Sequence, residues 1–84
     1  MSAPVISDKL KDKVFLIRGG IKKLSLKHVI ILVTRRGGRV ADVFDDSVTH
    51  VVLGRAASQI AFTQAVQGKR IILDEKEFFE LLYN

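Results

Sequence analysis

The sequence predicts an α/β domain: a four-stranded parallel sheet flanked by three helices, in the order β-α-β-β-α-β-α. Three observations lead there. Short apolar runs recur along the chain and end in glycine, turn residues or a helix cap. Segments with helical spacing, each opened by Ser or Asp, follow three of these runs. Strands that alternate with helices need crossover connections, which give a parallel sheet covered on both faces.

The elements follow in order. Residues 1–10 (MSAPVISDKL) are expected to be a flexible lead-in, and residues 11–84 a single domain. Val14–Ile17 (VFLI) lacks alternation and is stopped by Gly19-Gly20, as expected of a strand buried on both faces. Ser25 then opens SLKHVIILVTRRGG as an N-cap. Propensity alone would make its VIILV core a strand. Length, cap and the exit through Arg35-Arg36-Gly37-Gly38 favour a helix. On a helical wheel Leu26, Val29, Leu32 and Val33 face the sheet, Ile30 lies at the flank and Ile31 points away.

Arg39–Val43 alternates and reads as a second strand, followed by the turn residues Asp45, Asp46 and Ser47. Thr49–Leu53 is a third strand, closed by Gly54. Ser58–Gln67 is a helix with Ser58 as cap and Gly68 past its end, with Ile60, Ala61, Phe62 and Ala65 as its apolar stripe. Arg70–Leu73 is a fourth strand. Asp74 caps a last helix over Glu75–Tyr83, whose acids Glu75 and Glu77 suit its N-terminal dipole and whose core contacts are Phe78, Phe79 and Leu82.

Composition narrows the function classes. With 84 residues there is room for one small domain, and 48% hydrophobic residues suit a globular one. The absence of cysteine excludes a disulfide framework and fits an intracellular protein. No apolar run reaches the roughly 18 residues a membrane span requires, and the first residues lack the pattern of a secretion signal. The net charge of +5 suits nucleic acid or an acidic partner, and it equally suits ordinary solubility.

A catalytic set is missing. His28 and His50 have no ligand-spaced partner, and no serine sits in a nucleophile elbow. Neither GxGxxG nor a P-loop pattern occurs. No enzyme activity, cofactor, metal or small-molecule substrate is expected.

The motifs together resemble the BRCT family over about Lys11 to Leu82. They are VFLIRGG, the helix leaving through Gly37-Gly38 into Arg39-Val40, the strand Thr49-His50-Val51-Val52, the helix ending at Gly68, and the final ILDEKEFFELL. That final segment is most similar to the branch of the NAD-dependent DNA ligases and the replication factor C large subunit. Most BRCT domains carry a tryptophan in the last helix. This chain has none, and Phe78 or Phe79 takes its place. The resemblance implies first and third helices on one face of the sheet and the second on the other. Gly37, Gly38, Thr49, Phe78 and Phe79 are then structural.

The resemblance also implies a function: a non-catalytic docking module of a DNA replication, repair or damage-response protein, nuclear in a eukaryote. Its partner would be another protein, such as a second BRCT domain or a phosphoprotein. Many BRCT domains bind phosphate through a Ser or Thr before the first-strand glycine and a Lys in the second helix, with help from that helix's N-terminus. Those positions here are Arg18 and Ile60, and both depart from the pattern. Arg18 could hold a phosphate with Arg55, or it is a solvated loop residue.

The contact candidates are therefore Arg18, Gly19, Lys22, Lys23, Arg55 and Ser58, for a phosphate or, alternatively, for a DNA backbone or 5′-phosphorylated end. Ile30, Ile31 and Arg35 are the candidates for a protein-facing surface, including self-association through the first helix.

Overall fold

The computed structural model describes residues 7–83. Its elements are β1 (Val14–Arg18), α1 (Leu26–Arg35), β2 (Arg39–Ala41), β3 (His50–Leu53), α2 (Gln59–Gln67), β4 (Ile71–Asp74) and α3 (Glu75–Tyr83). The order matches the expectation from the sequence. All three strand pairings are parallel, and the sheet runs β2-β1-β3-β4. Phe15 lies between Val40 and His50, and Val51 pairs with Ile72.

Alternation along the strands divides the core in two. Phe15 and Val52 point to one face, where Val29 and Val33 of α1 and Phe78, Phe79 and Leu82 of α3 cover them. Leu16 and Val51 point to the other face, where Ala65 of α2 and Val48 close the smaller cluster. The first and third helices thus share a face, as the resemblance implied.

Phe78 is one of the two residues expected in the place of a tryptophan. It is fully buried, and its ring meets Phe15 edge-on at 5.4 Å between centroids. Phe79 stands beside it at 5.7 Å and stacks on Tyr83. Thr49 precedes β3 and ties it to the start of β1, since its hydroxyl accepts from the Val14 amide at 2.9 Å.

Helix ends explain why the apolar VIILV run becomes a helix despite its β propensity. The Ser25 hydroxyl accepts from the His28 amide at the start of α1. At the other end the Gly38 amide returns to the Val33 carbonyl and the Gly37 amide to Thr34, with Gly37 at φ +87°. This is the Schellman arrangement, and it turns the chain directly into β2. At α3, Asp74 accepts from the Glu77 amide at 2.7 Å while Glu77 accepts from the Asp74 amide, a reciprocal capping box.

Several expectations need correction. Leu10, placed in a flexible lead-in, is fully buried in the α1/α3 core. Its amide donates to the Arg36 carbonyl at 2.8 Å, so this segment is strapped across the C-terminal end of α1. Residues 1–6 of the lead-in lie outside the described residues. The second strand stops at Ala41, and Val43 is exposed beyond it, because the Asp45–Ser47 turn has begun to draw the chain away. Leu26 is 54% exposed, because as the first residue of α1 it overhangs the β2 edge of the sheet. Ile60 and Phe62 also lie outside the core. Only Ala61 and Ala65 of α2 are buried.

Two predictions follow from this packing. An alanine at Gly37 must adopt a left-handed backbone, so Gly37→Ala should lower unfolding free energy by about 1–2 kcal/mol in urea titrations. His50 is buried against Phe15, and desolvation, with Lys13 nearby, depresses its pKa from the ordinary 6.5. The unfolded chain therefore protonates more readily than the fold. Stability should decline as pH falls below 6.5, levelling off once the folded-state histidine also protonates. A shallower decline of the urea midpoint in His50→Gln than in the wild type would verify the assignment.

Candidate functional site

In an open parallel sheet, ligands bind beyond the carboxyl ends of the strands where the chain order reverses. Here the chain leaves β1 toward β2 on one side, while β3 leads to β4 on the other, so the reversal lies between β1 and β3. The loops that follow these strands carry Gly19-Gly20 and Gly54–Ala57.

These loops interlock instead of leaving an open crevice. The Gly54 amide donates to the Arg18 carbonyl at 2.8 Å, and the Ala56 amide donates to Gly19. A Cβ on Gly54 would collide with the Gly20 carbonyl oxygen, and one on Gly19 with the Ala57 amide. Gly19 and Gly20 both have positive φ, which frees the first loop to fold flat against the second.

A cleft of about 270 Å³ remains beside this junction, lined by Gly19, Gly20, Lys22, Arg55, Ala56 and Glu75, among others. Its electrostatics are mixed. Lys22 and Arg55 bring positive charge, but the Glu75 carboxylate accepts from the Lys22 backbone amide at 2.6 Å. A backbone amide at the rim of the cleft is thereby already bonded to a carboxylate. Glu75 was legible only as a residue suited to the α3 dipole. Nothing local in the sequence reveals that α3 brings it to a loop 53 residues away.

The sequence-derived contact residues separate into two groups. Gly19, Lys22 and Arg55 meet at the cleft. Arg18, Lys23 and Ser58 are engaged elsewhere. The Arg18 guanidinium donates to the Asp42 carbonyl at 3.2 Å, on the β2 side of the sheet. The Lys23 ammonium lies 5.7 Å from the centre of the Phe79 ring. The Ser58 hydroxyl accepts from the Ala61 amide as the N-cap of α2. Ile60, at the position the resemblance gives to a lysine, is 71% exposed.

The protein-facing candidates are also placed. Ile30 and Ile31 are exposed on α1, and Ile30 joins Leu26, one turn earlier, above Val40 and Asp42. Arg35 is half-buried, and its Nε is buried with no hydrogen-bond partner among the described residues. No group of His, Cys, Asp or Glu among the described residues could hold a metal ion. No described helix is long and apolar enough to cross a membrane.

Gly54→Ala tests the loop junction. The added methyl has only backbone to displace, so a loss of about 3 kcal/mol or more is expected in thermal or urea unfolding.

The chain has no significant match among curated proteins. The family model of the BRCA1 C Terminus (BRCT) domain, a family of protein-interaction modules in DNA-repair and cell-cycle proteins, matches residues 5–82. With that match spanning both cores and the β1/β3 loop junction, the chain belongs to the BRCT family.

Proposed function

We propose that this domain is a non-catalytic docking module of a DNA replication or repair factor, nuclear in a eukaryote, that holds a partner protein through apolar surface instead of a phosphate. One observation carries this reading: the Glu75 carboxylate bonded to the Lys22 amide in the cleft between Lys22 and Arg55. A phosphate group carries roughly −1.5 to −2 charge near neutral pH and would enter beside that carboxylate. Two further features support it. Arg18 is turned to the Asp42 carbonyl, and exposed Ile60 offers no charge at the start of α2.

The expected outcome is that a phosphopeptide and its unphosphorylated form shift the same amide signals of the labelled domain to the same extent in an NMR titration. Micromolar binding that requires the phosphate and is lost in Arg18→Ala would refute the proposal.

A second reading, contact with a DNA backbone or 5′-phosphorylated end, draws on Lys22 and Arg55 sharing the cleft rim of a chain with net charge +5. It requires binding to 5′-phosphorylated duplex that weakens steeply with salt and is reduced in Lys22→Glu. Fluorescence anisotropy at low ionic strength decides it.

A further inference from the structure

β4 is the outer strand of the sheet, and among the described residues nothing pairs with its far edge. Such an edge is a template for another strand, and proteins commonly blunt it with proline, a bulge or charge. β4 reads Ile-Ile-Leu-Asp and carries charge only at its last residue. The opposite edge, β2, is three residues long, opens on Arg39 and is followed by Asp42.

The backbone shows where β4 is open. The Ile71 amide donates to the Thr49 carbonyl at 3.2 Å. By alternation, Ile71 and Leu73 turn their polar groups to β3, and Ile72 turns its N–H and C=O outward. The ends are occupied, since the Arg70 amide donates to Ala65 and the Asp74 amide to the Glu77 carboxylate. The open stretch therefore centres on Ile72.

Apolar surface overhangs this stretch from both faces. On one face α2 lies over β3 and β4. The Gly68 side of α2 abuts Phe44 of the β2–β3 connection. On a helical wheel Phe62 and Val66 occupy the flank away from Gly68, which is the β4 side, and they are 46% and 51% exposed. On the other face a cleft of about 460 Å³ opens between β4 and α3, with Ile71, Leu73 and Leu81 among its walls. Ile71 is 55% exposed. Glu77, Glu80 and Lys9 also line this cleft, so carboxylates outnumber ammonium there.

These features select an occupant. A helix or a folded surface could cover the overhanging side chains of one face, but it would leave the Ile72 backbone groups unpaired. An extended segment pairs with them and places alternate side chains under both overhangs at once. A second copy of this chain would bring its own Glu77 and Glu80 to the same edge, whereas a segment with lysine or arginine complements them. We propose that the β4 edge takes an extended segment of a partner protein as a fifth strand, with apolar residues toward Phe62 and Val66 and an apolar residue flanked by basic ones toward the α3 cleft. The proposal rests on the docking reading and names the partner's chemistry. With one central residue to pair, binding is weak, in the high micromolar range.

The test is an NMR titration of the labelled 84-residue chain with an acetylated and amidated peptide, Val-Lys-Val-Leu-Val-Lys. Its two faces carry valine and lysine–leucine–lysine. The Ile72 amide signal should shift and its hydrogen exchange should slow. A strand pairs along one edge only, so of two peptides N-methylated at alternate residues, one should lose binding and the other keep it. Replacing the peptide lysines by glutamate should weaken binding, as should Glu80→Lys in the domain, by about three-fold or more. Val66→Gln should weaken the lysine peptide by about five-fold. Both domain side chains are exposed, so folding should survive, with circular dichroism melting as the check; if Val66→Gln fails to fold, Glu80→Lys is read alone.

No binding up to millimolar peptide overturns the proposal. So do shifts that leave out Ile72, equal behaviour of the two N-methylated peptides, tighter binding of the glutamate peptide, or dimerisation of the free chain through Ile72. Any of these leaves the docking reading standing, because the phosphopeptide titration decides that reading separately.

Discussion

The loop junction beyond β1 and β3 is the constraint on which the other elements depend. Gly54 lies against the Gly20 carbonyl and Gly19 against the Ala57 amide, with no room for a side chain at either contact. This fixes the ends of the two central strands relative to each other. α1 and α2 both begin a few residues beyond these loops, so their starting points on opposite faces are set by the same backbone contact. α3 is drawn in as well, because Glu75 bonds the Lys22 amide on the first loop. The position that a ligand would occupy in many parallel sheets is used here largely to hold the protein together.

That use has a consequence for chemistry. The cleft left beside the junction has two cations and one carboxylate, and its polar groups are partly bonded to each other. The more unusual surface is the outer side of α2, where bulky apolar residues meet water and no charge interrupts them. Recognition through such a surface depends on shape and desolvation more than on electrostatic steering, which suits a partner held at close quarters.

Much of the fold was legible in the sequence because its signals are local. Ser25, Ser58 and Asp74 are caps where the sequence places them, and Gly37-Gly38 ends α1 as glycine chemistry requires. The segments that misled are those whose fate is decided by distant neighbours. Leu10 looks like part of a loose terminus until the end of α1 is there to receive it. Leu26 has the spacing of a core residue, but the sheet below it ends at the short strand β2. Ile60 and Phe62 are as apolar as core residues, yet it is Ala61 and Ala65 that α2 presents to the sheet. The candidate site was legible in part for the same reason. Gly19, Lys22 and Arg55 are brought together by loops that the glycines announce, whereas Glu75 and the turning of Arg18 toward Asp42 depend on tertiary packing.

Among the described residues the sheet contains no hairpin. Every pairing is parallel, and the central pair joins Val14 to Thr49 across 35 positions of sequence. No strand can therefore find its neighbour by local collapse. The helix between β1 and β2 must form before the edge pairing becomes short-range, and the β1–β3 register must wait for a long loop to close. Such a topology should make the chain fold more slowly than an all-helical domain of its size.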